Sequence, residues 1–135
     1  MLEQVPGQHF EMLVLDAYSS DSIPVHLATL EAFKLYVSRL KPGGLLVIHG
    51  SNRYIDLTRI LGPIFKRLGL TALERTRVDE ASERPFFAFN AEWIVASTDS
   101  SMIEGLRKEG WTPLPDTQKH RTWTDDFSNI LSVLK

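Results

Sequence analysis

Cysteine is absent from this 135-residue chain. Without thiols, the chain cannot form disulfide bonds, thiolate metal sites or cysteine nucleophiles. An excess of charge of one sign is also missing, because 15 basic and 17 acidic residues give a formal net charge of −2. The basic residues are dispersed along the sequence, so the charge pattern gives no reason to expect a nucleic-acid or anionic-membrane partner.

Long hydrophobic runs are absent as well. No apolar run approaches the ~20 residues that a bilayer-spanning helix requires. The opening segment MLEQVPGQHFE has neither the basic start nor the apolar core of a signal peptide. We therefore expect a cytoplasmic location. The chain length suits a single domain, 1–135, and 43% hydrophobic residues suffice for a buried core.

Hydrophobic periodicity in the first half predicts strands alternating with helices. Phe10 to Ala17 is continuously apolar at its centre, which favours a strand buried on both faces. Thr29 is a candidate N-cap for the helix TLEAFKLYVSRL. We expect KPGG to end that helix and LLVIHG to form a second buried strand.

The next helix has recognisable boundaries. Asp56 is its expected N-cap, an apolar stripe runs from Leu57 to Leu68, and Gly69 is its expected C-cap. Pro63 lies inside the stripe and predicts a kink or a split, because proline removes a backbone donor and crowds the preceding turn.

The second half favours strands at LTALERTRV and EWIVASTD, a short helix at SMIEGLRKEG and a terminal helix at DDFSNILSVLK. A loop is predicted for the segment WTPLPDTQKHRTW. Strands alternating with helices imply right-handed crossovers and a mainly parallel sheet, and the short connection between the last two strands implies an antiparallel edge pair. The fold class predicted from these patterns is α/β.

The segment FEMLVLDAYSSDSIPVHLATLEAFKLYVSRLKPGGLLVIHGSNRYIDL resembles the centre of the spermidine synthase-like family of class I S-adenosylmethionine-dependent transferases. WTDDFSNILSVLK resembles that family's C-terminal signature. The resemblance runs from Gln8 to Lys135 and covers the C-terminal half of the catalytic domain. It implies a partial Rossmann-like methyltransferase fold in which this chain supplies strands 4 to 7 of the order 3-2-1-4-5-7-6, with strand 7 antiparallel.

The resemblance implies transfer of an aminopropyl or methyl group from an adenosylmethionine-type cofactor to an amine. Asp16 matches the catalytic carboxylate that orients the amine and helps to deprotonate it. Asp21 matches a second carboxylate that would hold another ammonium group, although two extra residues separate the pair compared with the Asp-Ser-Ser-Asp-Pro form of established spermidine synthases. The alternative is that both carboxylates only cap the loop through Asx-type hydrogen bonds.

Further substrate-binding candidates follow the two predicted strands. Tyr18 lies in the loop after Asp16, and Asn52 and Arg53 lie in the loop after the second strand, where His49 precedes them. Carboxyl ends of parallel strands share one edge of the sheet, so we expect both loops on the same rim. The alternative is that these polar groups only satisfy the loop backbone.

Asp125 and Asp126 also match the family's C-terminal signature and could face the acceptor. Their placement at the start of a predicted helix offers a simpler explanation, because the helix dipole favours carboxylates there. No histidine has a partner at metal-ligand spacing, so we expect no metal site.

The family's glycine-rich cofactor turn is not visible in the sequence. The only glycine pair, Gly43-Gly44, precedes a strand, whereas a cofactor turn must follow one. We therefore expect this chain alone to bind neither S-adenosylmethionine nor its decarboxylated form. Two further alternatives are a non-catalytic truncated transferase domain and a binder of small cationic ligands.

The resemblance also implies an unprotected strand. In the family, strand 4 pairs with strand 1, which has no equivalent in this sequence, so Phe10–Ala17 would be a sheet edge. We expect a homodimer that pairs this strand with its copy. The alternative is that the N-terminal segment folds back over the edge.

Overall fold

The computed structural model describes residues 9–18, 24–50, 55–77, 91–115 and 120–134. Within these ranges we number the strands and α-helices in chain order: β1 (Phe10–Leu15), α1 (Leu30–Ser38), β2 (Leu40–His49), α2 (Leu57–Leu68), β3 (Thr71–Arg77), β4 (Ala91–Ser97), α3 (Ser101–Glu104) and β5 (Thr112–Pro113). Short 3-10 segments lie at Val25–Leu27, Gly105–Glu109 and Ile130–Val133.

The strands form one sheet in the order β1-β2-β4-β3-β5. β1 and β2 are parallel, whereas β4 runs antiparallel to both of its neighbours, β2 and β3. β1, β2 and β3 therefore point the same way, and their carboxyl ends share one edge. This arrangement confirms the α/β class and the strand order 4-5-7-6 with strand 7 antiparallel. Of the strand pairings in the described residues only β1–β2 is parallel, so the sheet is mixed where the sequence predicted a mainly parallel one. It is compatible with a partial Rossmann-like methyltransferase fold.

Capping residues set the helix boundaries as the sequence predicts. The Thr29 side chain accepts a hydrogen bond from a first-turn backbone N–H of α1, and Asp56 does the same for α2. Gly69 ends α2 with a φ of 68°, in the left-handed region that glycine adopts without strain. The predicted split at Pro63 is wrong, because α2 continues through this residue, whose side chain is buried with the helix's apolar face.

The main hydrophobic core lies between α1, α2 and one face of the sheet. Leu46 and Ile48 of β2 and Ile94 of β4 contribute from the sheet side, and all three are fully buried. A smaller cluster on the other face joins Leu73 and Val95 to Ile103 of α3. The strand residues alternate between the two clusters, as the period of two requires.

β1 is less buried than the sequence predicts. Each of its residues is either half-buried or exposed, and the Met12 and Val14 side chains each retain 53% exposure. The expectation of burial on both faces is therefore wrong. Among the described residues, β1 is the terminal strand of the sheet, and no helix covers Met12 and Val14 on their face of it.

The KPGG segment lies within β2 and does not end α1, contrary to prediction; α1 already ends at Ser38. The pairing with β1 changes from Phe10 opposite Leu40 to Met12 opposite Leu45, so extra β2 residues bulge out between these pairs. Gly43 has a φ of 73°, which explains why glycine suits this irregular position.

The C-terminal segment also differs from its prediction. No α-helix starts at Asp125 and Asp126; these residues occupy a turn closed by reciprocal backbone hydrogen bonds between Thr124 and Phe127. Helical geometry is limited to the 3-10 segment Ile130–Val133. In the segment predicted as a loop, β5 forms a two-residue strand against β3. Tertiary contacts therefore determine the structure of the C-terminal segment, although its local periodicity favours a helix.

Candidate active site

A carboxylate and an imidazole meet at the carboxyl edge of the sheet. Asp16 directly follows β1, and His49 is the last residue of the parallel neighbour β2. His49 Nδ1 lies 2.9 Å from Asp16 Oδ1. An ionised carboxylate only accepts hydrogen bonds, so this contact assigns the donating proton to Nδ1. The expectation that both strand ends contribute to the same rim is confirmed for these two residues.

The two side chains differ in their access to solvent. The Asp16 side chain is 63% exposed, whereas that of His49 is 23% exposed. The carboxylate therefore faces solvent while the imidazole lies behind it against the sheet. Ligands of open α/β sheets bind outside the carboxyl ends of the strands, which is where this pair lies.

Trp93 fixes the orientation of the imidazole. It is the register partner of His49 on β4, and the two rings stack with centroids 4.4 Å apart and an interplanar angle of 23°. An imidazole stacked on an indole and bonded to a carboxylate has little rotational freedom. No local sequence pattern predicts this contact, because it arises only from the pairing of β2 with β4.

The arrangement suits a small cation. An ammonium group can donate charge-assisted hydrogen bonds to the Asp16 carboxylate, and nearby aromatic rings favour positive charge over their faces. Asp16, His49 and Trp93 together offer an ionised acceptor beside an aromatic surface. They could therefore bind and orient an amine.

Tyr18 lies in the core in this structure. Its side chain is fully buried, and its hydroxyl donates a 2.5 Å hydrogen bond to the Leu27 carbonyl. The Tyr36 hydroxyl donates to the same carbonyl at 3.3 Å. Burial raises the pKa of Tyr18 above its usual value, and the nearby Tyr36 raises that pKa further. A substrate contact through the Tyr18 hydroxyl would require the bond to Leu27 to break.

Three other predicted site residues, Asp21, Asn52 and Arg53, lie outside the described residues. Their roles stay predictions. Of the loop after β1, the structure describes Asp16 to Tyr18 and resumes at Pro24.

Asp125 contacts the N-terminus of α1. Its Oδ1 accepts a 2.7 Å hydrogen bond from Thr29 Oγ1, and its backbone N–H donates to Glu31 Oε2 at 2.9 Å. The Leu30 backbone N–H also donates to the Trp123 carbonyl at 2.8 Å. The predicted stabilisation by a helix N-terminus therefore involves α1 instead of a helix that Asp125 itself begins.

A second polar feature is a cleft on the opposite face of the sheet. It has a volume of about 480 Å³ and is lined by Asp56, Thr58, Arg59, Glu74, Thr76, Glu92 and Pro115. Glu74 pairs in register with the buried Ile94, which places it on the α1–α2 face, whereas Trp93 and His49 lie on the other.

The carboxylates of this cleft differ in their electrostatic surroundings. Arg59 Nε lies 3.2 Å from Asp56 Oδ2, which forms an ion pair within α2's first turn. Burial raises the pKa of Glu74 from 4.5 to about 7, and the negative charges of Glu92 and Asp56 add to this effect. Glu74 is therefore partly protonated near neutral pH.

Among the residues that the structure describes, no group of three or more histidine and carboxylate side chains could hold a metal ion. Nor does any helix in the described ranges have the length and apolar character needed to cross a membrane.

No family model matches the chain, and no curated protein matches it. Among solved structures, the chain is similar to the crystal structure of MnmC2 from Aquifex aeolicus, with a TM-score of 0.48 and 17% sequence identity. The match covers 87% of this chain and 36% of the MnmC2 chain, so this sequence spans about a third of that protein's length.

Proposed function

We propose that this chain is the acceptor-binding part of an adenosylmethionine-dependent transferase domain, in which Asp16 binds a small amine. The observation that carries the proposal is the 2.9 Å contact between Asp16 and His49 at the carboxyl edge of β1 and β2. The family resemblance of the segments around Asp16 and after His49 supports the same assignment.

The proposed chemistry starts from a protonated amine. The ammonium group binds the Asp16 carboxylate through charge-assisted hydrogen bonds, which orient its nitrogen. Loss of a proton then exposes the nitrogen lone pair, since an ammonium ion is not a nucleophile; Asp16 accepts that proton and passes it to solvent. An adenosylmethionine-type cofactor would supply the electrophilic methyl or aminopropyl carbon. Asp21, Asn52 and Arg53 are proposed to contact the remainder of the acceptor.

The glycine pair of this chain does not have the position that a cofactor-binding turn requires. The glycine pair Gly43-Gly44 lies in the bulge of β2, with Gly44 packed closely against backbone and side-chain atoms of Lys41, Leu40 and Phe10. A dinucleotide-type turn must instead follow a strand and open a helix. We therefore propose that this chain binds the amine but neither S-adenosylmethionine nor its decarboxylated form.

Isothermal titration calorimetry tests this assignment. The chain is titrated separately with putrescine, S-adenosylmethionine and decarboxylated S-adenosylmethionine. We expect saturable heat with putrescine and none with either cofactor. Absence of putrescine binding would contradict the amine site. Micromolar binding of either cofactor would contradict the proposal that this chain does not bind it.

Self-association through β1 is a second proposal. Among the residues that the structure describes, β1 is the terminal strand of the sheet, and its Met12 and Val14 side chains are each 53% exposed. Uncovered edge strands present backbone hydrogen-bonding groups that favour pairing with another strand. A second copy of β1 in a two-fold dimer would pair with the edge and place Met12 and Val14 beside the side chains of the partner strand.

A further inference from the structure

We infer that Arg75 determines which amines the proposed site prefers, because it binds an acidic group at the far end of the acceptor. The preferred acceptor carries an ammonium group for Asp16 and a carboxylate for Arg75. The inference rests on the proposed amine site and adds a specificity-determining residue from β3, a strand that contributes no other residue to that site.

The strand register places Arg75 in line with the site. His49 of β2 pairs with Trp93 of β4, and Trp93 pairs with Arg75 of β3. Directly opposed residues of neighbouring strands share one face of the sheet. The row that results crosses four adjacent strands and consists of Asp16, His49, Trp93 and Arg75.

The preceding row on the same face is entirely apolar. It consists of Val14, Val47, Val95 and Leu73, in the same strand order. Ile103 of α3 packs with Val95 and Leu73 in the smaller hydrophobic cluster. The polar row therefore lies one step closer to the carboxyl edge than the part of this face that α3 covers.

Two rings form a continuous aromatic surface between the charged ends of the polar row. The His49 and Trp93 ring centroids lie 4.4 Å apart, close to the spacing of adjacent strands. Three such intervals separate β1 from β3, so the backbones of Asp16 and Arg75 lie about 14 Å apart. A ligand spans less than this distance, because both side chains can extend towards it. Its hydrocarbon chain crosses the rings and buries apolar surface against them.

Arg75 is suited to an anionic ligand group. It is exposed, and among the described residues it forms no ion pair and lies over no aromatic ring. A guanidinium keeps its charge and presents a planar fork that matches the two oxygens of a carboxylate. Putrescine is too short to reach Arg75 from Asp16, so its binding does not involve this residue. A longer amine gains affinity if it ends in a carboxylate.

Calorimetric titration with ω-aminocaprylate and with its primary amide tests the inference. The two ligands share the ammonium group and the chain length, and they differ in the charge of the far end. The test variant is Arg75→Gln, which removes the positive charge, and Arg75→Thr is a second variant in case the first misfolds. Arg67→Gln is the matched control, because Arg67 is an exposed arginine of α2, on the other side of the sheet.

The wild type and Arg67→Gln should bind the carboxylate about two- to fivefold more tightly than the amide, the range for an exposed ion pair. Arg75→Gln should bind both ligands equally, and it should bind the amide as the wild type does. Circular dichroism verifies that each variant is folded.

Equal wild-type affinities for the carboxylate and the amide would overturn the inference, as would a preference for the carboxylate that survives in folded Arg75→Gln. Failure of the wild type to bind either the amide or putrescine would instead overturn the amine site itself, and this inference with it.

Discussion

His49 Nδ1 and Asp16 Oδ1 lie 2.9 Å apart although 33 positions separate the residues in the sequence. Parallel pairing of β1 with β2 brings the two strand ends together, with Leu15 opposite Ile48 immediately before the pair. The contact therefore depends on the register of the sheet. A one-residue slip would move one of the two side chains to the opposite face.

The first prediction concerns the contact between the C-terminal segment and α1. Replacing Thr29 with alanine removes both the N-cap and the hydrogen bond to Asp125. We expect the free energy of unfolding to fall by about 0.5–2 kcal/mol, the range for loss of an N-cap. Chemical denaturation followed by circular dichroism measures this change.

Ser38→Ala is the control for Thr29→Ala. The Ser38 hydroxyl donates to the Leu35 carbonyl at the exposed end of α1, so its loss should alter stability by less than about 0.5 kcal/mol. Equal stabilities of the two variants would show that neither the Thr29 N-cap nor the Thr29–Asp125 hydrogen bond contributes measurably.

The second prediction concerns Glu74. Its folded-state pKa of about 7 exceeds the ordinary value of 4.5, so between these pH values the folded protein holds a proton that the unfolded chain has lost. Wild-type stability therefore falls as pH rises through this window. Glu74→Gln should remove that dependence and stabilise the protein above pH 7.

We expect a gain of about 1 kcal/mol at alkaline pH, less than the full shift would give because Glu74 is only half-buried. Below pH 4.5 the variant and the wild type should be equally stable. Denaturation midpoints measured across this range provide the test, with the exposed Glu109→Gln as control. A constant difference between Glu74→Gln and wild type at every pH would disprove the assigned titration.

Local signals in the sequence predict much of the fold. Asp56 and Gly69 mark the ends of α2 correctly, because capping depends on residues adjacent to the helix. The α/β class could be predicted because strands alternate with helices along the chain, whereas the order of the strands in the sheet was implied by the family resemblance. Asp16 and His49 could be placed on one rim because the carboxyl ends of parallel strands share one edge of the sheet.

Long-range contacts explain what the sequence did not reveal. Asp125 binds Thr29 across 96 positions, and this tertiary contact holds the C-terminal segment in a turn where periodicity suggested a helix. The stack of His49 on Trp93 depends on the register of β2 with β4. The exposure of Val14 depends on which strands and helices surround β1, whereas an apolar run looks the same at the edge and at the centre of a sheet.

The third prediction concerns self-association. The wild type should elute as a dimer at tens of micromolar in size-exclusion chromatography with light scattering. Val14→Lys should shift it towards monomer, because a lysine on an edge strand opposes pairing with a second copy. Met102→Lys, at a side chain on α3 with the same 53% exposure, should leave the mass unchanged. A monomeric wild type at this concentration would refute the β1 dimer.

The central claim is that the Asp16 carboxylate binds an ammonium group. The most direct measurement is the putrescine affinity of Asp16→Asn, compared with that of Glu11→Gln, which neutralises an exposed carboxylate at the other end of β1. An ion pair with an exposed carboxylate is worth about 0.2–1 kcal/mol, so we predict about two- to fivefold weaker binding for Asp16→Asn. Glu11→Gln should bind like the wild type. Equal affinities of folded Asp16→Asn and wild type would contradict the amine site.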